Sequence, residues 1–157
     1  MPSPDALSTA WSVLETVMEH NARMFKALLI DDEESIVRLF SAILERDGFR
    51  VTPATSAAQG CALLRLESYN VVVTDLKMET PMAGFEVVRA ARSLHPRPLI
   101  VLLTAFPVPP AQWRGAGADA LFIKGENIRS LPAQIKALLR HQPERAKLEP
   151  AAAGVGT

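Results

Sequence analysis

Two adjacent carboxylates, Asp31 and Asp32, stand where the apolar run Ala27-Leu28-Leu29-Ile30 ends and a helical pattern begins. A short continuous apolar run is the mark of a strand buried on both faces. In an open parallel sheet, residues at the carboxyl end of such a strand are the ones that meet ligands. Two neighbouring anions repel each other, so a cation must compensate them, and Mg²⁺ takes oxygen ligands of this kind. An Asp at this place can also simply cap the next helix. The pair alone leaves both readings open.

Three more apolar runs end on groups capable of chemistry. Asn70-Val71-Val72-Val73-Thr74-Asp75 finishes on a carboxylate, Leu99 to Thr104 on a hydroxyl, and Ala120 to Lys124 on an ammonium group. If the four strands are parallel, these residues share one edge of a sheet. Singly, each has a structural explanation: Asp75 as a cap, Thr104 as an ordinary strand-end residue, Lys124 as a solvated charge. Their joint occurrence in the order Asp-Asp, Asp, Thr, Lys is hard to explain that way.

The segments between the strands read as helices, and alternating strand and helix indicates a parallel sheet covered on both faces. Ser35 to Asp47 carries Ile36, Leu39, Phe40, Ile43 and Leu44 at helical spacing, with Gly48 as its stop. Phe49 to Ala54 is a weaker strand whose Pro53 suits a sheet edge. Ala57 to Glu67 and Phe85 to Leu94 are further helices, the second ended by His95-Pro96-Arg97-Pro98. Ser130-Leu131-Pro132 opens the last helix, with Ser130 as its cap and Ile135, Leu138 and Leu139 as its apolar stripe.

The runs LLIDDEES, VVVTDLKM, VLLTAF and GAGADALFIK, in this order, resemble the receiver domain of two-component response regulators. The resemblance covers about Phe25 to His141. It implies a doubly wound α/β fold of the flavodoxin type, with a five-stranded parallel sheet in the order 2-1-3-4-5. It also implies that Asp75 accepts a phosphoryl group from a histidine kinase or a phosphotransfer protein. Mg²⁺ is the cofactor so implied, held by Asp31, Asp32, Asp75 and the backbone carbonyl of Lys77. Thr104 and Lys124 correspond to the hydroxyl and lysine that contact the phosphoryl oxygens. The activity expected is self-phosphorylation and self-dephosphorylation, not turnover of a separate substrate.

Several departures from the family pattern are visible. Glu79-Thr80 delay Pro81, Met82 and Gly84, so the loop beside Asp75 is expected to be longer than usual, and Lys77 adds a cation to it. Phe106-Pro107-Val108-Pro109-Pro110 follows Thr104-Ala105, which leaves room for a fourth helix of about one turn. Leu121 occupies the place of the family's aromatic switch residue, and Phe122 beside it should face the other side of the strand. Gly125 replaces the proline that normally follows the lysine.

The 157 residues suit one domain with appendages. Seventeen basic and 17 acidic side chains balance, so no nucleic-acid or membrane surface is expected. A single cysteine excludes a disulfide framework, and a cytoplasmic location fits. No apolar run approaches the roughly 20 residues that span a bilayer. Residues 1–24 form an extension in which Leu7, Trp11, Leu14, Met18, Ala22 and Phe25 recur at steps of three or four, as in an amphipathic helix. That helix is expected to dock on the receiver at 25–141, to pair with its copy in a homodimer, or to meet a partner. Met24 offers an alternative start that omits it. Residues 142–157 read as a disordered tail, too short for a DNA-binding output domain. The expected function is therefore a stand-alone receiver that signals to a downstream protein. A phosphorylation-independent interaction module is the alternative.

Overall fold

The structure, a computed structural model, describes residues 3–148, with backbone only for 21–23 and 143–148. Five parallel strands form one sheet in the order β2-β1-β3-β4-β5. They are β1 (Phe25–Ile30), β2 (Phe49–Ala54), β3 (Val71–Thr74), β4 (Leu99–Thr104) and β5 (Ala120–Ile123). The three inner strands, with the densest runs of Val, Leu and Ile, are buried almost throughout. Pro53 lies on β2, an edge strand, where a missing N–H costs no ladder bond on the open side.

Helices alternate with the strands: α2 (Glu34–Arg46), α3 (Ala57–Leu66), α4 (Ala83–Arg92), α5 (Pro110–Ala116) and α6 (Leu131–Leu148). One core lies between the sheet and α3, α4 and α5, built on Leu28, Ile30, Val72, Ile100, Val87, Val88 and Trp113. The second lies between the sheet and α2 and α6, built on Leu29, Val73, Val101, Phe40, Leu44 and Ile135. The alternation of side chains along each strand divides them between the two cores. Leu121 accordingly packs with the first cluster and Phe122 with the second, so the ring does sit on the face opposite Leu121.

Three expectations change. The helix after the proline-rich segment, α5, has seven residues rather than a single turn, because Pro109 and Pro110 occupy its N-cap and first position. Proline is tolerated there, since the first turn has no use for its N–H. The last helix continues to Leu148, past the point where a tail was expected, because Glu144 to Leu148 are strong helix formers. Residues 149–157 lie outside the described residues. Ser130 does not cap α6 through a backbone N–H: its hydroxyl donates to the Asn127 carbonyl and accepts from the Gln134 side chain.

The amino-terminal helix, α1 (Pro4–Arg23), is present but does not dock on the receiver, and each of its described side chains is exposed.

One close approach positions the edge discussed below. The Gly84 N–H donates to the Leu76 carbonyl at 2.8 Å. A Cβ on Gly84 would lie 2.2 Å from the Asp75 carbonyl oxygen and 2.6 Å from the Leu76 Cα. Those atoms are backbone at the end of β3 and cannot turn aside. At Gly60 in α3 an added Cβ meets instead the δ-methyl of Ile30, at 2.3 Å, which can change rotamer. Gly84→Ala is therefore expected to cost about 2 kcal/mol or more by overpacking, and Gly60→Ala under about 1 kcal/mol. Urea unfolding of the two variants checks this, and equal losses would show that the contact at Gly84 is not a constraint.

Candidate functional site

The ladder continues one residue beyond the strands at their carboxyl edge. The Asp31 N–H donates to the Ala54 carbonyl at 3.1 Å, the Asp75 N–H to that of Ile30 at 2.8 Å, and the Lys124 N–H to that of Thr104 at 2.7 Å. With Ile30 level with Thr74, Asp31 and Asp75 are neighbours on adjacent strands. Parallel pairing thus brings together residues more than 40 positions apart in the chain.

The carboxylate oxygens of Asp31, Asp32 and Asp75 offer ligand atoms within 4.8 Å of one another. Asp31 and Asp75 are buried and Asp32 is exposed, so the cluster opens to solvent on one side. Lys124 sits between the two buried acids, its Nζ 2.5 Å from Asp31 Oδ2 and 3.1 Å from Asp75 Oδ2. The remaining oxygens are held by backbone. Glu33 N–H donates to Asp31 Oδ1 at 3.0 Å, and Leu76 N–H donates to Asp75 Oδ1 at 2.8 Å. Apart from Lys124, the buried Asp31 Oδ2 has no hydrogen-bond partner among the described residues. An oxygen-only donor set containing such an atom fits a hard divalent cation.

Thr104 is buried at the same edge, and its hydroxyl oxygen accepts a long bond, 3.4 Å, from the Phe106 N–H. That contact ties the hydroxyl to the loop it precedes. Lys77 is exposed, two residues beyond Asp75. The loop that contains it is pinned by a residue that sequence reading had treated only as an insertion. Glu79 Oε1 accepts from the Ala57 N–H at 2.8 Å, so the carboxylate sits at the amino end of α3. No local pattern announces this bond, because Glu79 and Ala57 lie 22 residues apart.

The three charged residues at the centre do not balance. Burial pushes the Asp75 carboxyl above its ordinary value; the Lys124 charge lowers it in part, and the Asp31 charge raises it again. Burial alone would lower the Lys124 ammonium, but the hydrogen bond to Asp31 and the charges of Asp75 and Asp31 outweigh it, and the net shift is upward. Lys124 therefore stays protonated between two acids, and without metal Asp75 is the disfavoured anion.

A carboxyl raised on folding contributes stability that is present below its unfolded value, about 3.9, and lost as pH rises through its folded value. Ionised Asp75 thus opposes folding at neutral pH. Asp75→Asn should raise the stability of the chelator-treated protein at neutral pH by about 1 kcal/mol, and the gain should vanish below about pH 4. Thermal melts of wild type and variant at the two pH values check this. A less stable variant at neutral pH would mean that attraction to Lys124 outweighs burial.

Comparison with known proteins agrees with this geometry. The family described as the response regulator receiver domain matches residues 27–136. The transcriptional regulatory protein AfsQ1 of Streptomyces coelicolor is 36% identical over 129 residues, covering 81% of this chain and 56% of the relative. A CpxR homolog of Haemophilus influenzae, also named a transcriptional regulatory protein, is 35% identical over 119 residues, covering 74% and 51%. The chain thus spans about half the length of the curated relatives it matches. Among solved structures, a CheY-like response regulator receiver domain from Methanospirillum hungatei superposes with a TM-score of 0.70 at 28% identity, covering 78% of this chain and 98% of that one. On the strength of its sheet order, its acidic edge and the family match across most of its length, this chain belongs to the response regulator receiver domains of two-component systems.

Proposed function

We propose that the chain works as a phosphoryl acceptor, with Asp75 as the acceptor and a histidine kinase or phosphotransfer protein as donor. The observation that carries this reading is the convergence of Asp31, Asp32 and Asp75 within 4.8 Å, with Lys124 bridging the two buried acids. Such a site sets a carboxyl nucleophile beside Lys124 and beside oxygens that would hold a divalent cation, and an anionic phosphoryl group needs both positive charges.

In the transfer, an Asp75 carboxylate oxygen attacks phosphorus, and an acyl phosphate forms as the bond to the donor nitrogen breaks. The electron pair of that bond leaves with the imidazole. Leu76 N–H already holds Asp75 Oδ1, so Oδ2, paired with Lys124, is the oxygen available for attack. Lys124 can then transfer its interaction from the carboxylate to a phosphoryl oxygen, and the Thr104 hydroxyl can leave the Phe106 N–H to donate to another. Asp31, Asp32, Asp75 and the Lys77 carbonyl are the groups assigned to Mg²⁺, which when bound neutralises charge between nucleophile and phosphoryl group. In this reading the protein is a signalling acceptor, not a turnover enzyme, and its output passes through protein contacts. Among the described residues no helix is long and apolar enough to cross a membrane.

Incubation with acetyl phosphate and Mg²⁺, followed by intact-mass measurement, tests the assignment. One phosphoryl mass is expected on the wild type, and none on Asp75→Asn or on wild type with chelator. Addition that persists on Asp75→Asn would place the acceptor elsewhere. The absence of any addition to the wild type would favour the phosphorylation-independent module.

The way the signal leaves the site also has an expected form. Leu121 packs in the first core where an aromatic switch residue would stand, so no ring on this face of β5 can move under the β4–α5 loop. Three prolines between Pro107 and Pro110 restrict that loop further. Hydrogen exchange with and without beryllofluoride should show protection confined to the segments after Asp75 and Thr104. A broad change across residues 119–141 would show coupling through β5 and α6 instead.

A further inference from the structure

Among the described residues, the largest group of exposed large apolar side chains is not at the acidic edge. It lies on α1, where Leu7, Trp11, Leu14, Val17 and Met18 are 49%, 64%, 46%, 49% and 62% exposed. Only Met24 separates α1 from β1. The helix therefore leaves the sheet at its amino edge, opposite the carboxylates. A helix of 20 residues rich in Ser, Thr and Val is marginal in water unless its apolar face is covered.

The order of the residues indicates what covers it. Leu7, Trp11, Leu14 and Met18 follow the 4-3-4 spacing of a helix–helix seam. The series is symmetric about its centre: in an antiparallel pair Leu7 is level with Met18 of the second copy and Trp11 with Leu14. A two-fold interface requires this self-complementarity. The polar positions agree. In the same register Glu15 and Glu19 are level with Ala10 and Ala6 of the second copy, and Asp5 with His20. A parallel pair would set Glu15 against Glu15 and Trp11 against Trp11. It would also crowd two receivers at one end of helices packed about 8–10 Å apart, with a single residue of linker each.

A membrane is the poorer occupant. The helix carries Asp5, Glu15 and Glu19 and has no Lys or Arg before Arg23, whereas surface-binding helices are rich in basic residues. Covering the apolar face in two copies removes on the order of 1,000 Å² from water, the size at which specific interfaces begin.

The geometry points to α1 as a dimerisation helix that pairs antiparallel with α1 of a second copy. The pair is about 30 Å long and carries one receiver at each end. Both acidic edges then face away from the pair, open to a phosphoryl donor whether or not they are phosphorylated. The inference does not depend on the phosphoryl chemistry proposed above.

Light scattering of the full chain after size exclusion, at micromolar concentration, should give twice the 17.1 kDa of one chain. Trp11→Glu combined with Leu14→Glu changes only exposed positions. It should halve the mass and leave the melting of the receiver unchanged. A wild type of single-chain mass overturns the inference, whether or not it binds anionic vesicles, and so does a double variant that remains dimeric. Orientation is read by disulfide formation in a Cys61→Ala background. Leu7→Cys and Met18→Cys proteins should cross-link when mixed and not separately. Cross-linking of Leu7→Cys alone overturns the antiparallel arrangement.

Discussion

One ammonium group between two buried carboxylates organises this protein. Lys124 reaches Asp31 at 2.5 Å and Asp75 at 3.1 Å, across strands that are not neighbours in the chain. A single positive charge cannot satisfy two buried negative ones, and the exposed Asp32 adds a third at the rim. Removing charges from water is costly, and only good geometry with further hydrogen bonds offsets the cost. The Glu33 and Leu76 N–H groups supply part of that offset, but the net negative charge remains. The residues of the site thus leave room for further positive charge, as an oxygen-only donor set for a hard cation does.

The rest of the fold keeps those three residues in place. The ladder bonds that continue past β1, β3 and β5 set their heights, and two apolar cores hold the sheet from either side. Gly84 lets α4 come within van der Waals contact of the end of β3, where any side chain would press on the Asp75 backbone. At the opposite edge a second polar cluster fixes β5 against β4. Asp119 Oδ2 accepts from Arg97 Nη1 and from the Ile100 N–H, both at 2.9 Å, while Arg97 Nη2 donates to the Gly117 carbonyl at 2.8 Å. Lys124 is carried on β5, so a bond network at the far edge also steadies the cation at the site.

The two ends of the sheet differ in what they carry. The carboxyl edge carries the charged cluster and the long bond from Phe106 N–H to the Thr104 hydroxyl. The amino edge carries the Arg97–Asp119 cluster and the point from which α1 departs. The acidic cluster and the point where α1 departs thus lie at opposite ends of the sheet.

The sequence by itself determined the sheet and the residues of the acidic edge. Val71 to Val73 and Leu99 to Leu103 are apolar throughout because both faces are covered, and such runs are legible without tertiary knowledge. The polar residue that ends each run is equally legible, because nothing apolar competes with it for the edge. Tertiary structure alone decided which oxygens face Lys124, which direction the Asp75 carboxyl shifts, and that Arg97 joins Asp119. Those outcomes depend on distances between strands and on local burial, which no spacing along the chain encodes. The same holds for Glu79, whose bond to Ala57 crosses from one loop to another helix. The far end of α6 was misjudged because the Ala-, Pro- and Gly-rich residues after His141 were weighed as a tail, although Glu144 to Leu148 favour helix. Whether α1 docks was likewise open in the sequence: its periodicity states that it has an apolar face, but only the three-dimensional arrangement shows that the receiver leaves that face uncovered.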